Sequence, residues 1–395
     1  MRMEGMARLL KSAGHQVTVI CGMPSYPLGR VFPDYKGRGS VSETMDGIEV
    51  HRLPFMPSQA HNRLLRLGSL FTLTLSLWRR GLALLRDAKP DWVVLSSPPL
   101  PLALAGSKLA RKVGAKVLLN ISDLWPLTAK ELGALKPGMI YSALEGLERN
   151  LLRSADAWTG QSDEILSYIR KAAGVSCPDF LYRNLGPARS QQMAIPTGAV
   201  RRIVYAGLVG PVQGIAPIAM HTDFKALGLE LHIYGDGPDR KKLEQFVKKH
   251  PERGIELHHT VSPDAMSELL PQYDLALVPL RKPIYGAVPS KLFAAIGSGV
   301  PVLFCGGGEG ARIVQEHGLG WVCPAGDETC IVNTLRAIVA MPAEELAAVH
   351  EQCIKASAGA FSRDDQDAAF LHFLEAVTAT KKAGSPVGSL LSSAA

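Results

Sequence analysis

At 395 residues the chain exceeds what one hydrophobic core usually serves, so two domains of about 180 residues are expected. A composition of 47% hydrophobic and 20% charged residues excludes a largely disordered chain. The formal charge of +7 and sequence pI of about 9.0 favour an anionic partner, and nucleotide, nucleic acid and membrane surface all qualify.

Met1-Arg2-Met3-Glu4 leads straight into an amphipathic helix over 3–13 that ends at Gly14, so no signal peptide is read. A strand follows at 15–21. An α/β domain seldom starts with a helix, because that helix normally joins two parallel strands, so the sequence opens in the middle of such a unit. Residues 23–30, with Pro24, Pro27 and Gly29, form a loop at a strand's carboxyl end, the functional edge of such sheets. After a strand at 47–53 comes a long helix over 62–87 that carries Arg63, Arg66, Arg79, Arg80 and Arg86 among leucines. Its apolar stretches, 70–77 and 82–85, are too short and too charged at their borders to span a bilayer. The pattern fits a basic amphipathic helix lying on an anionic membrane surface, or a helix packed on the sheet with its arginines in water. Strands at 91–95, 116–121 and 156–160 alternate with a helix at 100–113 and a helical hairpin running through Arg153. That alternation is the signature of a doubly wound parallel sheet.

Residues 186–197, with Gly186, Pro187 and Pro196 among polar residues, read as a linker, and the pattern then restarts. Strands are expected at 202–206, 229–234, 255–258, 275–279, 300–304 and 320–323, and a last helix at 362–380. The division is therefore 1–187, 198–361, the helix 362–380 and a Ser/Ala/Gly-rich disordered tail at 381–395.

Four glycine turns follow strands of the second half. Gly207-Leu208-Val209-Gly210 leads to Gln213-Gly214 at a helix start, and Gly235-Asp236-Gly237 follows the next strand. Pro289-Ser290-Lys291 opens a short helix, and Gly306 to Gly308, Glu309 and Gly310 follow the strand after it. All four are expected on one edge of one sheet, facing an interdomain cleft, where backbone N–H groups, the Ser290 hydroxyl and the Lys291 ammonium converge on a nucleotide diphosphate. Asp123, followed by Trp125 and Pro126, occupies the matching edge of the first half, where it either orients a substrate hydroxyl or caps the next helix. The six cysteines show no CxxC and read as reduced, buried thiols of a cytoplasmic protein. The 11 histidines form no HxxxH or HxH set and the carboxylates no dense cluster, so no metal site and no cofactor are expected.

Several of these stretches together resemble a known family. The opening Gly14-His15-Gln16-Val17-Thr18-Val19-Ile20, then Pro24-Ser25-Tyr26-Pro27 and Gly29, is similar to that of WbuB-like glycosyltransferases. These are retaining GT-B enzymes that build bacterial surface polysaccharides. Ser96-Ser97-Pro98-Pro99-Leu100-Pro101, Asp123-Leu124-Trp125-Pro126, Tyr182-Arg183-Asn184 and Tyr205-Ala206-Gly207 continue the likeness. Gln213-Gly214, Gly235-Asp236-Gly237-Pro238, Val288-Pro289-Ser290-Lys291 and Gly308-Glu309-Gly310 carry it through most of the chain. The resemblance implies two Rossmann-like domains facing a cleft. It also implies a nucleotide-sugar donor, UDP-linked and of the N-acetylated deoxyhexosamine class, in the C-terminal domain. The acceptor would be a polyprenyl-diphosphate-linked sugar held by the N-terminal domain on the inner face of the cytoplasmic membrane, in capsule, O-antigen or exopolysaccharide synthesis. Catalytic roles fall to Lys291 and Asp123, and donor contacts to Gly207, Gly210, Gln213, Gly214, Gly235, Asp236, Gly237, Pro289, Ser290, Gly308, Glu309 and Gly310. Arg63, Arg66, Arg79 and Arg80 would meet the membrane, and no nucleic acid is implied.

Three departures qualify that likeness. Relatives begin with a strand and a glycine loop before the first helix, whereas this sequence opens inside that helix at Arg2-Met3-Glu4-Gly5. Either that segment lies upstream or the chain is an impaired GT-B protein serving as a binding subunit. Gly286 and Ala294 stand where the wider family has two glutamates, the later of which holds the nucleotide ribose, a contact that Glu309 would then supply. Gln213 replaces a lysine of the first glycine turn, leaving Lys291 as the main cation for the diphosphate.

Overall fold

The computed structural model describes residues 2–25, 29–58, 63–186 and 201–382. The linker reading at 187–197, the tail from 383 and Tyr26-Pro27 of the opening motif lie outside these residues. The chain forms two compact units, Met1–Tyr182 joined by the segment from Ala369, and Arg183–Ala368. The last helix, Arg363–Lys382, is therefore shared between the units instead of standing apart.

Unit 1 holds β1 (Thr18–Gly22), β2 (Val41–Met45), β3 (Ile48–Leu53), β4 (Trp92–Ser97), β5 (Lys116–Ile121), β6 (Ala157–Gly160) and β7 (Asp179–Leu181). Among the described residues these form a three-stranded sheet of order β1-β3-β2 and a parallel sheet of order β4-β5-β6-β7. The three-stranded sheet departs from the expected all-parallel pattern because β2 pairs antiparallel with β3. Asp46 and Gly47, at φ of 49° and 73°, both take the left-handed conformation of a two-residue hairpin turn. β5 is the buried centre of the second sheet, and its neighbouring residues face opposite cores. Leu119 and Ile121 pack with Trp158 against the helices Leu100–Lys112, Met139–Arg153 and Asp163–Ala173. Leu118 packs on the other face with Met6, Tyr182, Phe370, Phe373 and Val377, so the first helix and the end of the last one cover that side. Trp92 Nε1 donates to Thr378 Oγ1 at 2.9 Å and the Lys116 ammonium to the Val377 and Thr378 carbonyls, pinning the last helix there.

Unit 2 holds β8 (Arg202–Ala206), β9 (Glu230–Tyr234), β10 (Ile255–His258), β11 (Leu275–Pro279), β12 (Val302–Cys305) and β13 (Gly320–Cys323). They form one parallel sheet of order β10-β9-β8-β11-β12-β13. Alternate residues again feed two cores. Ile203, Tyr205, Leu231, Ile233, Leu275, Leu277 and Leu303 lie on one face; Val204, Ala276, Val278, Val302 and Phe304 lie on the other. Burial on both faces explains why these strands read as continuous apolar runs instead of alternating ones. Unit 2 is thus doubly wound, and each unit carries a parallel sheet wrapped by helices. Among the described residues no helix is long and apolar enough to cross a membrane.

Candidate functional site

The strand order of unit 2 selects one place on its edge. From β8 the chain moves outward through β9 and β10 on one side, then returns to β11 and moves through β12 and β13 on the other. Loops leaving the carboxyl ends of β8 and β11 therefore diverge, and the crevice between them is where open α/β sheets take ligands. The loop after β8 is Gly207–Gly214 in sequence, and the loop after β11 runs to Lys291. The Arg281 N–H donates to the Val212 carbonyl at 2.9 Å, joining the two at their base.

Lys291 fills this crevice. Its ammonium donates to Tyr205 Oη at 2.7 Å and stands 3.9 Å from the ring centroid, while Tyr205 Oη donates to the Leu208 carbonyl. The side chain passes directly over Gly207, where an added Cβ would lie 2.4 Å from Lys291 Cε and the backbone φ is +139°. Only glycine serves there. Burial pushes the Lys291 pKa down to about 7, since no carboxylate compensates the loss of water. The unfolded chain holds this proton to higher pH, so the penalty on stability is full below about pH 7 and fades as the pH rises.

The glycine turns after β8 and β9 are locked to each other. The Val209 N–H donates to the Asp236 carbonyl at 2.9 Å, and the Asp239 N–H to the Val209 carbonyl at 3.0 Å. A Cβ on Gly235 would sit 1.8 Å from the Gly207 carbonyl oxygen, and one on Gly237 would sit 2.4 Å from that of Val209. Packing of turn on turn therefore accounts for both glycines. Asp236 is exposed, and its Oδ1 accepts from the Gly237 N–H. Gln213 Oε1 is buried with no hydrogen-bond partner, an acceptor left for a donor to meet. Gly210 lies beside that oxygen, and Gly214, at φ +70°, lies against Arg281. Pro289 precedes the helix Ser290–Ile296, whose start has no side-chain cap, and Ser290 is exposed.

One strand further, glycines 306 and 310 clear the Phe304 ring, which a Cβ would approach to 2.8 and 2.6 Å. Gly308 takes φ +65° at the start of the helix Gly308–Glu316. Glu309 is only 3% exposed, and its Oε1 is paired with the Arg183 guanidinium. Gly186 packs on Ala294, the position where the wider family carries the ribose glutamate.

In unit 1, Asp123 Oδ1 accepts from Thr128 Oγ1 at 2.6 Å, at the start of the helix Leu127–Glu131. That helix start carries no side-chain cap, so the Asp123 bond is to the Thr128 hydroxyl and not to a backbone N–H of the helix. Arg66, Arg79 and Arg80 are exposed on the helix Arg63–Ala88, while the Arg63 side chain lies outside the described residues. The crevice of unit 2 thus brings together Gly207, Gly210, Gln213, Gly214 and Lys291, with Gly235 to Gly237 alongside. Tyr205 enters the sequence reading only as part of the Tyr205-Ala206-Gly207 likeness, and Arg281 not at all. Arg281 follows a strand just as Gly207 does, and that placement was the available signal; the role of Tyr205 arises only from tertiary contact.

The glycosyl transferase 4-like domain family matches residues 1–178, and the glycosyl transferases group 1 family matches residues 206–341. WcaI of Escherichia coli (strain K12), named as a colanic acid biosynthesis glycosyl transferase, is 28% identical over 307 residues, which are 73% of this chain and 74% of WcaI. Sucrose-phosphate synthase of Thermosynechococcus elongatus superposes with a TM-score of 0.71 at 14% identity, covering 96% of this chain and 93% of that one. The Anabaena protein Alr3699/HepE, solved in complex with UDP, superposes at 0.62 and 13% identity, covering 91% of this chain and 100% of that one. The two family matches fall on the sheets of the two units, and the chain is a member of the group 1 glycosyltransferases with the GT-B fold.

Proposed function

We propose that unit 2 binds a nucleotide-diphosphate sugar at the β8/β11 crevice, with Lys291 facing the diphosphate, and that the sugar passes to a polyprenyl-diphosphate-linked acceptor with retention. The observation that carries this reading is the Lys291 amine laid across Gly207 at the topological switch point. The UDP bound to the Anabaena protein of similar fold supports a uridine donor, and the name of WcaI supports a role in surface polysaccharide assembly. The WbuB-like motifs suggest an N-acetylated deoxyhexosamine. In the transfer step the acceptor hydroxyl oxygen bonds to the anomeric carbon on the face from which the diphosphate departs. Its proton goes to a donor phosphate oxygen, and no strong protein base is needed. Catalysis rests on positioning and on the charge that Lys291 and nearby N–H groups place against the leaving diphosphate. Asp123 would orient the acceptor from unit 1.

The same reading places the acceptor at a bilayer, and the helix Arg63–Ala88 suits that place. Leu67 and Phe71 are 62% and 68% exposed, one turn apart on one face, and Met56, held to Thr72 by its N–H, is 72% exposed. Apolar side chains that face water and are flanked by Arg79 and Arg80 match an interfacial helix better than one merely packed on a sheet.

Two outcomes test the proposal. A charge-assisted contact is worth about 1.5–3 kcal/mol, so Lys291→Ala should weaken UDP binding roughly ten- to hundredfold without lowering the unfolding temperature of the free protein. In the same calorimetry at pH 8, where the terminal phosphate is already ionised, wild-type binding should take up close to one proton and the variant none, read from the dependence of heat on buffer ionisation. Unchanged affinity in the variant removes Lys291 from the site.

Each basic residue near an anionic surface contributes about 1 kcal/mol, screened within roughly 8 Å at physiological salt. The protein should therefore pellet with anionic vesicles, weakly with neutral ones, and less at high salt. Arg63→Glu, Arg66→Glu, Arg79→Glu and Arg80→Glu combined should abolish that binding, and Phe71→Ser should reduce it, with unfolding unchanged. Equal pelleting with neutral and anionic vesicles, or none with either, contradicts the electrostatic account.

A further inference from the structure

The open edge of the unit 2 sheet gathers three metal-ligating side chains that share no sequence spacing. β9 and β10 pair in parallel, with Glu256 opposite His232 and His258 opposite Tyr234, so His232, Glu256 and His258 project from one face. His232 Nδ1 is 3.0 Å from His258 Nε2 and 3.5 Å from Glu256 Oε2, and His258 Nε2 is 3.6 Å from the same carboxylate oxygen. Ligands at 2.0–2.1 Å around a tetrahedral ion stand roughly 3.3 Å apart, and this triangle has a circumradius of about 2.0 Å. His232 Nδ1 and His258 Nε2 hydrogen-bond each other directly, so an ion would replace the shared proton, with both rings turning to aim their lone pairs at it.

The surroundings favour the same conclusion. The His232 side chain is 6% exposed, and its buried Nε2 has no hydrogen-bond partner; Glu230 Oε2, at 3.8 Å, would need to move closer to give the carboxylate–histidine pair that orients metal-bound imidazoles. His258 stacks on the Tyr234 ring at 4.3 Å and His232 meets the Tyr273 ring edge at 5.2 Å, so both imidazoles are fixed by packing. The Glu256 side chain is 58% exposed, leaving a path for the ion and a fourth position for water. Two arginines lie near but are engaged elsewhere. Arg202 sits on the Tyr273 ring, and Arg240 donates to the Gly235 and His258 carbonyls and to Glu244.

We propose that His232, Glu256 and His258 form a zinc-type divalent metal site with Glu230 orienting His232. The ion would clamp β9 to β10, and through the Arg240 bridge from the His258 carbonyl to the Gly235 carbonyl it would steady the turn after β9. No step of sugar transfer is routed through it. This departs from the expectation of no metal site, which considered spacing along the chain and not pairing between strands.

The test is calorimetry with zinc chloride on chelator-stripped, thiol-reduced full-length protein. One zinc per chain should bind and raise the unfolding temperature. Glu256→Gln, an exposed change that leaves folding intact, should weaken binding at least tenfold, and His258→Asn should do so more strongly; Glu230→Gln should cost about tenfold. Cys323→Ser with Cys330→Ser, a pair whose sulfurs lie 2.8 Å apart, should leave binding unchanged. Cobalt substitution should give the visible absorption of a tetrahedral nitrogen and oxygen site. Full binding in Glu256→Gln and His258→Asn, or loss only in the cysteine variant, overturns the assignment. Absence of binding overturns it in favour of an ion-free hydrogen-bonded histidine pair. UDP affinity should survive the chelator, so failure of the metal site and failure of the donor-site reading are separately visible.

Discussion

A lysine laid across a glycine is the constraint on which the β8/β11 crevice of this glycosyltransferase depends. Lys291 can lie there because residue 207 has no side chain, because Tyr205 supplies an acceptor and an aromatic face, and because β8 and β11 are neighbours whose loops part at that point. Tyr205 in turn is held by the Leu208 carbonyl, and the turn containing Leu208 is held by that after β9. Together these contacts leave Lys291 part-buried and account for the lowered pKa of its amine. Burying this amine with no carboxylate beside it costs stability below about pH 7, and the donor-site proposal assigns the missing partner charge to the diphosphate.

The two units solve the same packing problem differently. In unit 2 every central strand buries both faces, and its two cores, one around Ile203 and Leu231, the other around Val204 and Phe304, share the sheet between them. In unit 1 the second face of β5 is covered by Met6 from the first helix and by Phe370, Phe373 and Val377 from the last. The chain therefore returns to unit 1 to complete a core begun more than 300 residues earlier by Met6. Sequence adjacency had suggested a separate terminal helix; apolar burial decides where it belongs.

What could be read in the sequence follows from which signals are local. β8 and β11 fall where apolar runs between glycines, prolines and charges placed them, because two-sided burial leaves a continuous signature. β2 was overlooked because Ser42, Glu43 and Thr44 make it polar, although Asp46-Gly47 was a hairpin signal in plain view. The helix Asp163–Ala173 was passed over despite Ser162 as its N-cap and Gly174 in the left-handed conformation at its end. In the site, the glycine turns and Lys291 were legible as residues following strands. The function of the glycines was less so: Gly235 and Gly237 yield to neighbouring carbonyls, and glycines 306 and 310 yield to Phe304. The pairing of Glu309 with Arg183 and the meeting of His232 with His258 are tertiary, and no local periodicity encodes them.

The central claim is that a nucleoside diphosphate sits against Lys291, and the reactivity of that amine measures it most directly. An amine with a pKa of about 7 should be acetylated at pH 8 faster than surface lysines, and isotope-coded labelling with mass spectrometry gives its rate peptide by peptide. UDP should slow labelling of Lys291 severalfold or more, while lysines of the helix Arg240–Lys249 are unaffected. Labelling of Lys291 at the same rate with and without saturating UDP would contradict the account.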